Sequence, residues 1–450
     1  MIHDMMHNSD FIKALKAAEQ LHASGFSAYL VGGCVRSLFS GTVPSDYDLG
    51  TDAAADEIRE VFSGCAVYDT GLKYGTLSVD FEGLMLQITT FRTDGEYSDG
   101  RRPDRVEFTR SLQEDLSRRD FTVNAMAYNL KEGLIDLHGG QRDMRDRIIR
   151  CVGNAHDRFR EDALRILRAL RFSAQLGFSI EQSAAEALRE NKEMLRNVSA
   201  ERICSEMTKL IMSPYSKEVL IGYADVICTV IPELSDSVGF EQHNPHHILN
   251  VYEHSAAVCA LSGEKEHLKW AGLLHDAAKP ECFTKDENGI GHFYGHAREG
   301  VRKAQQAAER LRFSTELKDK VLTLVRYHDM PVSPDTKSVC RWLMLLGEEM
   351  FYDLMNLKRA DNAAQNFEVY NRTEEYDRIE STAEEIFRSG TCFKISQLAV
   401  NGNDLISEGY AEGRIIGEML DVLLDAVTGG DEENDKDSLL AFIKERYPVN

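Results

Sequence analysis

The chain has 450 residues, 43% of them hydrophobic, and because one core stops growing at roughly 250–300 residues, at least three domains are expected. A formal net charge of −22 argues against a surface coated in basic charge, but the arginines crowd between residues 101 and 171, so a polyanion would face that segment. The sequence has no window of about 18 apolar residues, no secretory-type N-terminus and no CxxC spacing among its nine cysteines, which predicts a cytoplasmic protein with reduced thiols, without a membrane span, disulfide framework or zinc knuckle.

In chain order, the first 140 residues alternate short apolar runs with turns: SAYLVGG, DYDLGTD, GTLSVDF, LMLQITTF and GLIDLHG, with a helical pattern in AAADEIREVF. This reads as a strand-rich α/β unit. From about residue 143 nearly everything has helical periodicity, with SPYS, QHNPHH and PVSPDT as candidate joints. Nine of the fourteen histidines fall between His243 and His328, marking a separate helical module with its own chemistry.

In YLVGGCVRSLF an apolar run ends at Gly32 and Gly33, where a helix can begin at once. Glycines let the backbone approach a phosphate, the free N–H groups of a helix start favour negative charge, and Arg36 adds positive charge one turn in. Asp46 and Asp48 follow at i and i+2, which on a strand share a face. Two hard oxygen donors aimed at one spot suit Mg²⁺ bridging a triphosphate and an attacking hydroxyl. Either signal alone is more often a plain turn or a solvated loop; their order and spacing point to metal-assisted nucleotidyl transfer.

GGCVRS followed by DYDL resembles the head of the tRNA nucleotidyltransferase and bacterial poly(A) polymerase superfamily, bacterial class. GLKYGTLSV, TTFRTDGEYSDGRRPDRVEF, EDLSRRDFTVNAMAY and EDALRILRALRF extend the resemblance over most of residues 70–172. Two departures stand out: Ser37 where the family usually has Asp, and Gln87 where relatives often carry Glu, which leaves Asp46 and Asp48 as the expected metal ligands.

In SRRDFTVNA, Arg118 and Arg119 suit phosphate, and Asp120 with Asn124 suits sugar hydroxyls. On a helix, Glu161, Arg165 and Arg168 share a stripe with Asp162 alongside, within i,i+3 reach of Arg165; taken alone this is an ordinary salt-bridged face. The resemblance implies more: Asp162 and Arg165 form a protein template for the edge of an incoming C or A, with Arg168 and Arg171 nearby on the triphosphate or the helix stripe. The charged, turn-rich segment holding Asp99–Arg102 reads as a mobile loop, and the resemblance implies that its DGRR favours full CCA addition.

His254, the His275-Asp276 pair of GLLHDAAKP, His296, His328 and Asp361 can enclose a divalent metal. GLLHDAAKP resembles the HD phosphohydrolase superfamily, and the extra histidines imply room for one or two ions. Candidate activities are phosphate removal or opening of a 2′,3′-cyclic phosphate at damaged tRNA ends. Further on, NGNDL resembles the tail of CCA-adding enzymes, where a turn and helix start could hold the tRNA backbone.

The expected fold is therefore α+β: a small mixed-sheet nucleotidyltransferase head at 1–142, a helical neck at 143–240, an HD metal-binding module at 241–365 and a helical tail at 366–450. The expected function is transfer of CMP, CMP and AMP from CTP and ATP to the tRNA 3′ end, with Mg²⁺ in the head. Three readings stay open beside it: a poly(A) polymerase or A-adding enzyme, an HD phosphohydrolase with a nucleotide-sensing head, and, disfavoured by the acidic charge, a tRNA-binding scaffold.

Overall fold

The computed structural model describes residues 7–94 and 106–448. The chain forms two compact units, Met1–Pro232 and Glu233–Asn450.

In the first unit, helix α1 (Ser9–Ala23) is capped by Asn8, whose side chain accepts the Phe11 N–H, and it buries Phe11, Ala14, Leu15, Ala18 and Leu21. The strands of its seven-stranded sheet are β1 (Ala28–Val31), β2 (Tyr47–Thr51), β3 (Ala66–Gly71), β4 (Thr76–Phe81), β5 (Leu84–Thr90), β6 (Met126–Asn129) and β7 (Gly133–Asp136). They pair in the order β3-β4-β5-β2-β1-β6-β7. Only β2 and β5 run parallel, so the sheet is mixed, as expected. All four residues of β1 are buried, which explains its uninterrupted apolar run AYLV. The chain leaves β1 through Gly32, at φ 73° and ψ −132°, into helix α2 (Gly33–Ser40). That positive φ is why glycine stands there.

Beyond the sheet the unit is helical. Helix α3 (Ala155–Glu161) and helix α4 (Leu164–Leu176) are consecutive, and helix α5 (Ala200–Ile211) packs on α4. The sequence pattern predicts one continuous stripe through EDALR, but the helix breaks at Asp162 (φ −143°, ψ 104°). Its side-chain Oδ1 accepts the Leu164 N–H at 3.1 Å, a local bond that competes with helix continuation and caps the next start. Helix α4 is buried nearly all round, and Arg165 and Arg171 are buried with its leucines. Buried guanidinium groups demand partners.

The second unit contains helices α6 (Val251–Leu261), α7 (Glu266–Leu274), α8 (His296–Arg310), α9 (Thr315–Tyr327) and α10 (Thr336–Ala363), the last bent at Gly347 (φ 73°). Phe351, Leu354, Met355 and Leu357 of α10 share a core with Val258, Ala271 and Leu324. A separate core around Val400, Leu405, Leu423 and Ile443 holds the C-terminal helices together. No helix among the described residues is long and apolar enough to cross a membrane, and all nine cysteines are free.

Candidate active site

Gly32 and Gly33, Asp46 and Asp48, Arg36, Arg119, Asp162 and Arg165 line one cavity of about 710 Å³ in the first unit. Strand β2 starts at Tyr47, so Asp48 projects from the strand and Asp46 from the residue just before it. Asp48 pairs in register with Val31 at the end of β1, beside the glycine turn. A Cβ on Gly32 would lie 3.3 Å from Arg119 Nη1 and 3.8 Å from Asp48 Oδ2, so the turn, the carboxylate and the guanidinium are nearly in contact. Burial and then the charge of Asp46 push Asp48 up to about 6, against the pull of Arg119. Two carboxylates crowded in this way favour a divalent cation over two protons as pH rises.

Gln87 stands beside Asp48 across the parallel pair, and its Oε1 accepts from Ser78 Oγ at 3.1 Å. That neighbouring position is thus spent on a neutral hydrogen bond within the sheet. Ser37 lies inside α2 and is half-buried; its carbonyl accepts the closing Gly41 N–H at 3.1 Å.

The arginines are held by acids. Asp115, buried, takes Arg118 through Oδ1 (2.7 Å) and Arg119 through Oδ2 (3.1 Å). Asn124 Oδ1 accepts from Arg36, and Asn124 Nδ2 donates to Asp120 Oδ1 at 3.1 Å. Asp120 Oδ2 in turn receives Arg168 at 2.6 Å, and Glu206 receives Arg171 at 3.2 Å. Burial alone would raise the Asp120 carboxyl, but Arg168, Asn124 and Arg165 hold it well below the ordinary range. Arg36, Arg168 and Arg171 also surround the Phe172 ring, with guanidinium carbons 4.9, 5.3 and 4.3 Å from its centroid. Asp120 and Asn124, expected on sugar hydroxyls, line the cavity and are bonded to Arg168 and Arg36 respectively.

At the helix break, Glu161 pairs with Arg165 and Arg158. Asp162 does not pair with Arg165; its Oδ2 receives Arg202 Nη2 at 2.7 Å. Asp115, Arg158, Arg202 and Glu206 are among the polar residues of this region that sequence reasoning missed. Arg202 and Glu206 share the i,i+4 face of α5, a spacing found on any solvated helix.

In the second unit, the side chains of His254, His275, Asp276, His296, His328 and Asp361 converge. His254 Nε2 is 2.9 Å from Asp361 Oδ1 and 3.6 Å from Asp276 Oδ2; His275 Nε2 is 3.1 Å from the same Oδ2. On the other side of that carboxylate, His296 and His328 approach Oδ1 at 3.4 and 3.6 Å. The Nδ1 atoms of His275, His296 and His328 each donate to the carbonyl three residues back, those of Gly272, Phe293 and Val325, at 2.8–2.9 Å. That bond fixes the tautomer and turns three Nε2 lone pairs inward, the arrangement a metal-bound imidazole requires. Two three-residue groups result, His254–His275–Asp276 and Asp276–His296–His328, sharing one buried carboxylate. The donor set fits divalent metal. Lys279, itself buried, places its Nζ 2.7 Å from Asp276 Oδ2, a cation beside the shared carboxylate.

Residues 28–150 match the poly A polymerase head domain, 177–224 the "probable RNA and SrmB-binding site of polymerase A", and 246–364 the HD domain. The chain is 34% identical to the CCA-adding enzyme of Geobacillus thermodenitrificans over 97% of each chain. The chain belongs to the CCA-adding enzymes. These are metal-dependent nucleotidyltransferases that act on tRNA, and the mixed-sheet head with HD module is the architecture expected of the family. The Lactobacillus delbrueckii subsp. bulgaricus CCA-adding enzyme is 32% identical over 96% of this chain and 97% of its own. Among solved structures, the Bacillus stearothermophilus CCA-adding enzyme in complex with CTP is similar at a TM-score of 0.73, with 28% identity over 98% of both chains. The Thermotoga maritima CCA-adding enzyme complexed with tRNA shares the fold (TM-score 0.61, 22% identity) over 98% of this chain and 96% of its own. Residues 99–102, the DGRR stretch tied to full CCA addition, lie outside the described residues.

Proposed function

We propose that the first unit adds C, C and A in turn to the 3′ end of tRNA in the cytoplasm, using CTP and ATP without a nucleic acid template. The observation that carries this reading is the contact of the Gly32 turn with Asp48 and Arg119 in a cavity that also holds Asp162. Asp46 and Asp48 would hold Mg²⁺, which when bound lowers the pKa of the terminal 3′-hydroxyl and offsets charge on pyrophosphate. The 3′-oxygen forms its bond to the α-phosphorus as the α–β bridge breaks, and pyrophosphate leaves. The backbone N–H of Gly33 and the guanidinium of Arg119 hold the triphosphate; Arg168 and Arg171, paired with Asp120 and Glu206, and Arg36, bonded to the Asn124 amide, line the wall beside it. Asp162 accepts the exocyclic amine that C and A share, with Arg165 as the neighbouring donor. In this reading the head covers 1–142, the neck 143–240, the HD module 241–365 and the tail 366–450, with neck and tail on the tRNA.

Incubation of the protein with Mg²⁺ and a tRNA ending at its discriminator base tests this. Growth by two with CTP alone and by three with CTP plus ATP is expected, and Asp46→Ala abolishes both. An open-ended ladder from ATP alone would instead identify a poly(A) polymerase.

The inward Nε2 atoms of the HD module favour a second activity: a metal-dependent phosphohydrolase of RNA ends, with one or two ions held by His254, His275, Asp276, His296, His328 and Asp361.

A further inference from the structure

Base selection in the proposed reaction runs through Asp162, and its carboxylate is already engaged. Oδ1 accepts the Leu164 N–H at 3.1 Å, and Oδ2 accepts Arg202 Nη2 at 2.7 Å. Arg202 lies in the wall of the same cavity, 28% exposed, and its Nη1 is buried without a hydrogen-bond partner. Arg165, by contrast, donates to Glu161 and to the carbonyls of Arg158 and Arg118 rather than to Asp162.

We propose that Arg202 is a positioning residue for base specificity: it pins the Asp162 carboxylate in the orientation that accepts the amine of C or A. The inference rests on the reading of Asp162 as the base-contacting acid. Cytosine and adenine carry amino donors at N4 and N6, where uracil and guanine carry carbonyl oxygens. A carboxylate oxygen welcomes the first pair and repels the second, but only while it cannot turn away.

Asp162 sits at a helix break in extended backbone, so the surrounding helices do not lock its side chain. The Leu164 N–H holds one oxygen and Arg202 the other. Without Arg202 the carboxylate can rotate about its Cβ–Cγ bond, and the penalty against a carbonyl-bearing base falls. The pin does not block the site, because a carboxylate oxygen accepts two hydrogen bonds and Oδ2 keeps a lone pair for the amine.

The test is the ratio of kcat/KM for CTP to that for UTP, measured in single turnovers on a tRNA lacking CCA, with full-length protein. Arg202→Ala is expected to lower the ratio about tenfold, through a higher KM for CTP together with a weaker penalty against UTP. Arg202→Lys, which keeps a donor near Oδ2, restores part of it. In an Asp162→Ala background, Arg202→Ala adds no further change, since the two act as one unit.

An unaltered ratio in folded Arg202→Ala overturns the proposal, as does an equal loss in the Asp162→Ala background. Should the alanine variant fold poorly, Arg202→Gln and Arg202→Lys carry the same measurement. If Asp162→Ala itself leaves the ratio unchanged, the base-contact reading fails and this inference falls with it. A changed ratio in Asp162→Ala beside an unchanged one in Arg202→Ala removes only the role of Arg202.

Discussion

Asp120 shows how much of the site is settled by single side chains. One oxygen accepts the Phe121 N–H and Asn124 Nδ2, and the other accepts Arg168, so both are consumed inside the protein. These bonds anchor Arg168 directly and, through Asn124, Arg36 beside the cavity that Asp120 itself lines. Burial opposes its ionisation, yet Arg168 and its hydrogen bonds keep the folded-state value well below the unfolded one. A depressed carboxylate contributes stability above the unfolded pKa, near 4, and loses it as pH falls toward the folded value. Asp120→Asn is accordingly expected to destabilise the first unit by on the order of 2 kcal/mol at pH 7, below the usual cost of breaking a buried pair because Arg168 is partly solvated. Denaturant unfolding at pH 7 and pH 3 checks this: the gap between wild type and variant narrows at the lower pH. An equal gap at both would mean the loss comes from packing, with no ionic part.

At the scale of elements, the candidate metal-binding groups of the second unit depend on how closely two helices approach. Helix α6 carries His254, and α7 runs into His275 and Asp276. Gly272 makes the approach possible, since a Cβ there would lie 2.9 Å from both N and Cα of Cys259 and 3.1 Å from the Val258 carbonyl carbon. All three are backbone atoms that cannot rotate aside. Gly272→Ala must push the helices apart, at a cost of about 1–3 kcal/mol, and moves His254 away from Asp276. The expected result is a lower Tm together with a smaller stabilisation by added Mn²⁺ in a thermal-shift titration. A lower Tm with an undiminished Mn²⁺ response would show that ligand geometry tolerates the shift. The helix break at Asp162 is a further device at this scale. A helical period runs through EDALRILR, and one side-chain bond to Leu164 N–H interrupts it.

For the whole molecule, what was legible in the sequence follows from the range of the interactions. The glycine turn, the Asp46 and Asp48 pair and the His275-Asp276 pair announce themselves because contiguous residues carry their chemistry. The strand-rich start and the helical remainder were equally readable, from period-2 and period-3.6 apolar patterns, whereas the mixed strand direction was implied only by the family resemblance. Arg202 and Glu206 were not readable, since Arg202 meets Asp162 across 40 positions and Glu206 meets Arg171 across 35; Asp115 pairs locally with Arg118 and Arg119, but a charged residue on a helix looks the same whether it is solvated or paired. The two clusters of reactive side chains fall in different compact units, the first wholly before Pro232 and the second wholly after Glu233. No residue is shared between them, so their chemistries should separate by mutation. His275→Ala removes a ligand within the buried His254–His275–Asp276 group and leaves every residue of the Asp48 cavity in place. It is expected to abolish metal-dependent hydrolysis of 2′,3′-cyclic phosphate RNA ends and to lower metal uptake measured by mass spectrometry. CMP and AMP addition to tRNA should stay within about twofold of wild type, because Asp46, Asp48 and Arg119 are untouched. Equal loss of both activities, at unchanged Tm, would mean that the HD cluster supports the transfer reaction itself, and the two units would then have to be treated as one machine.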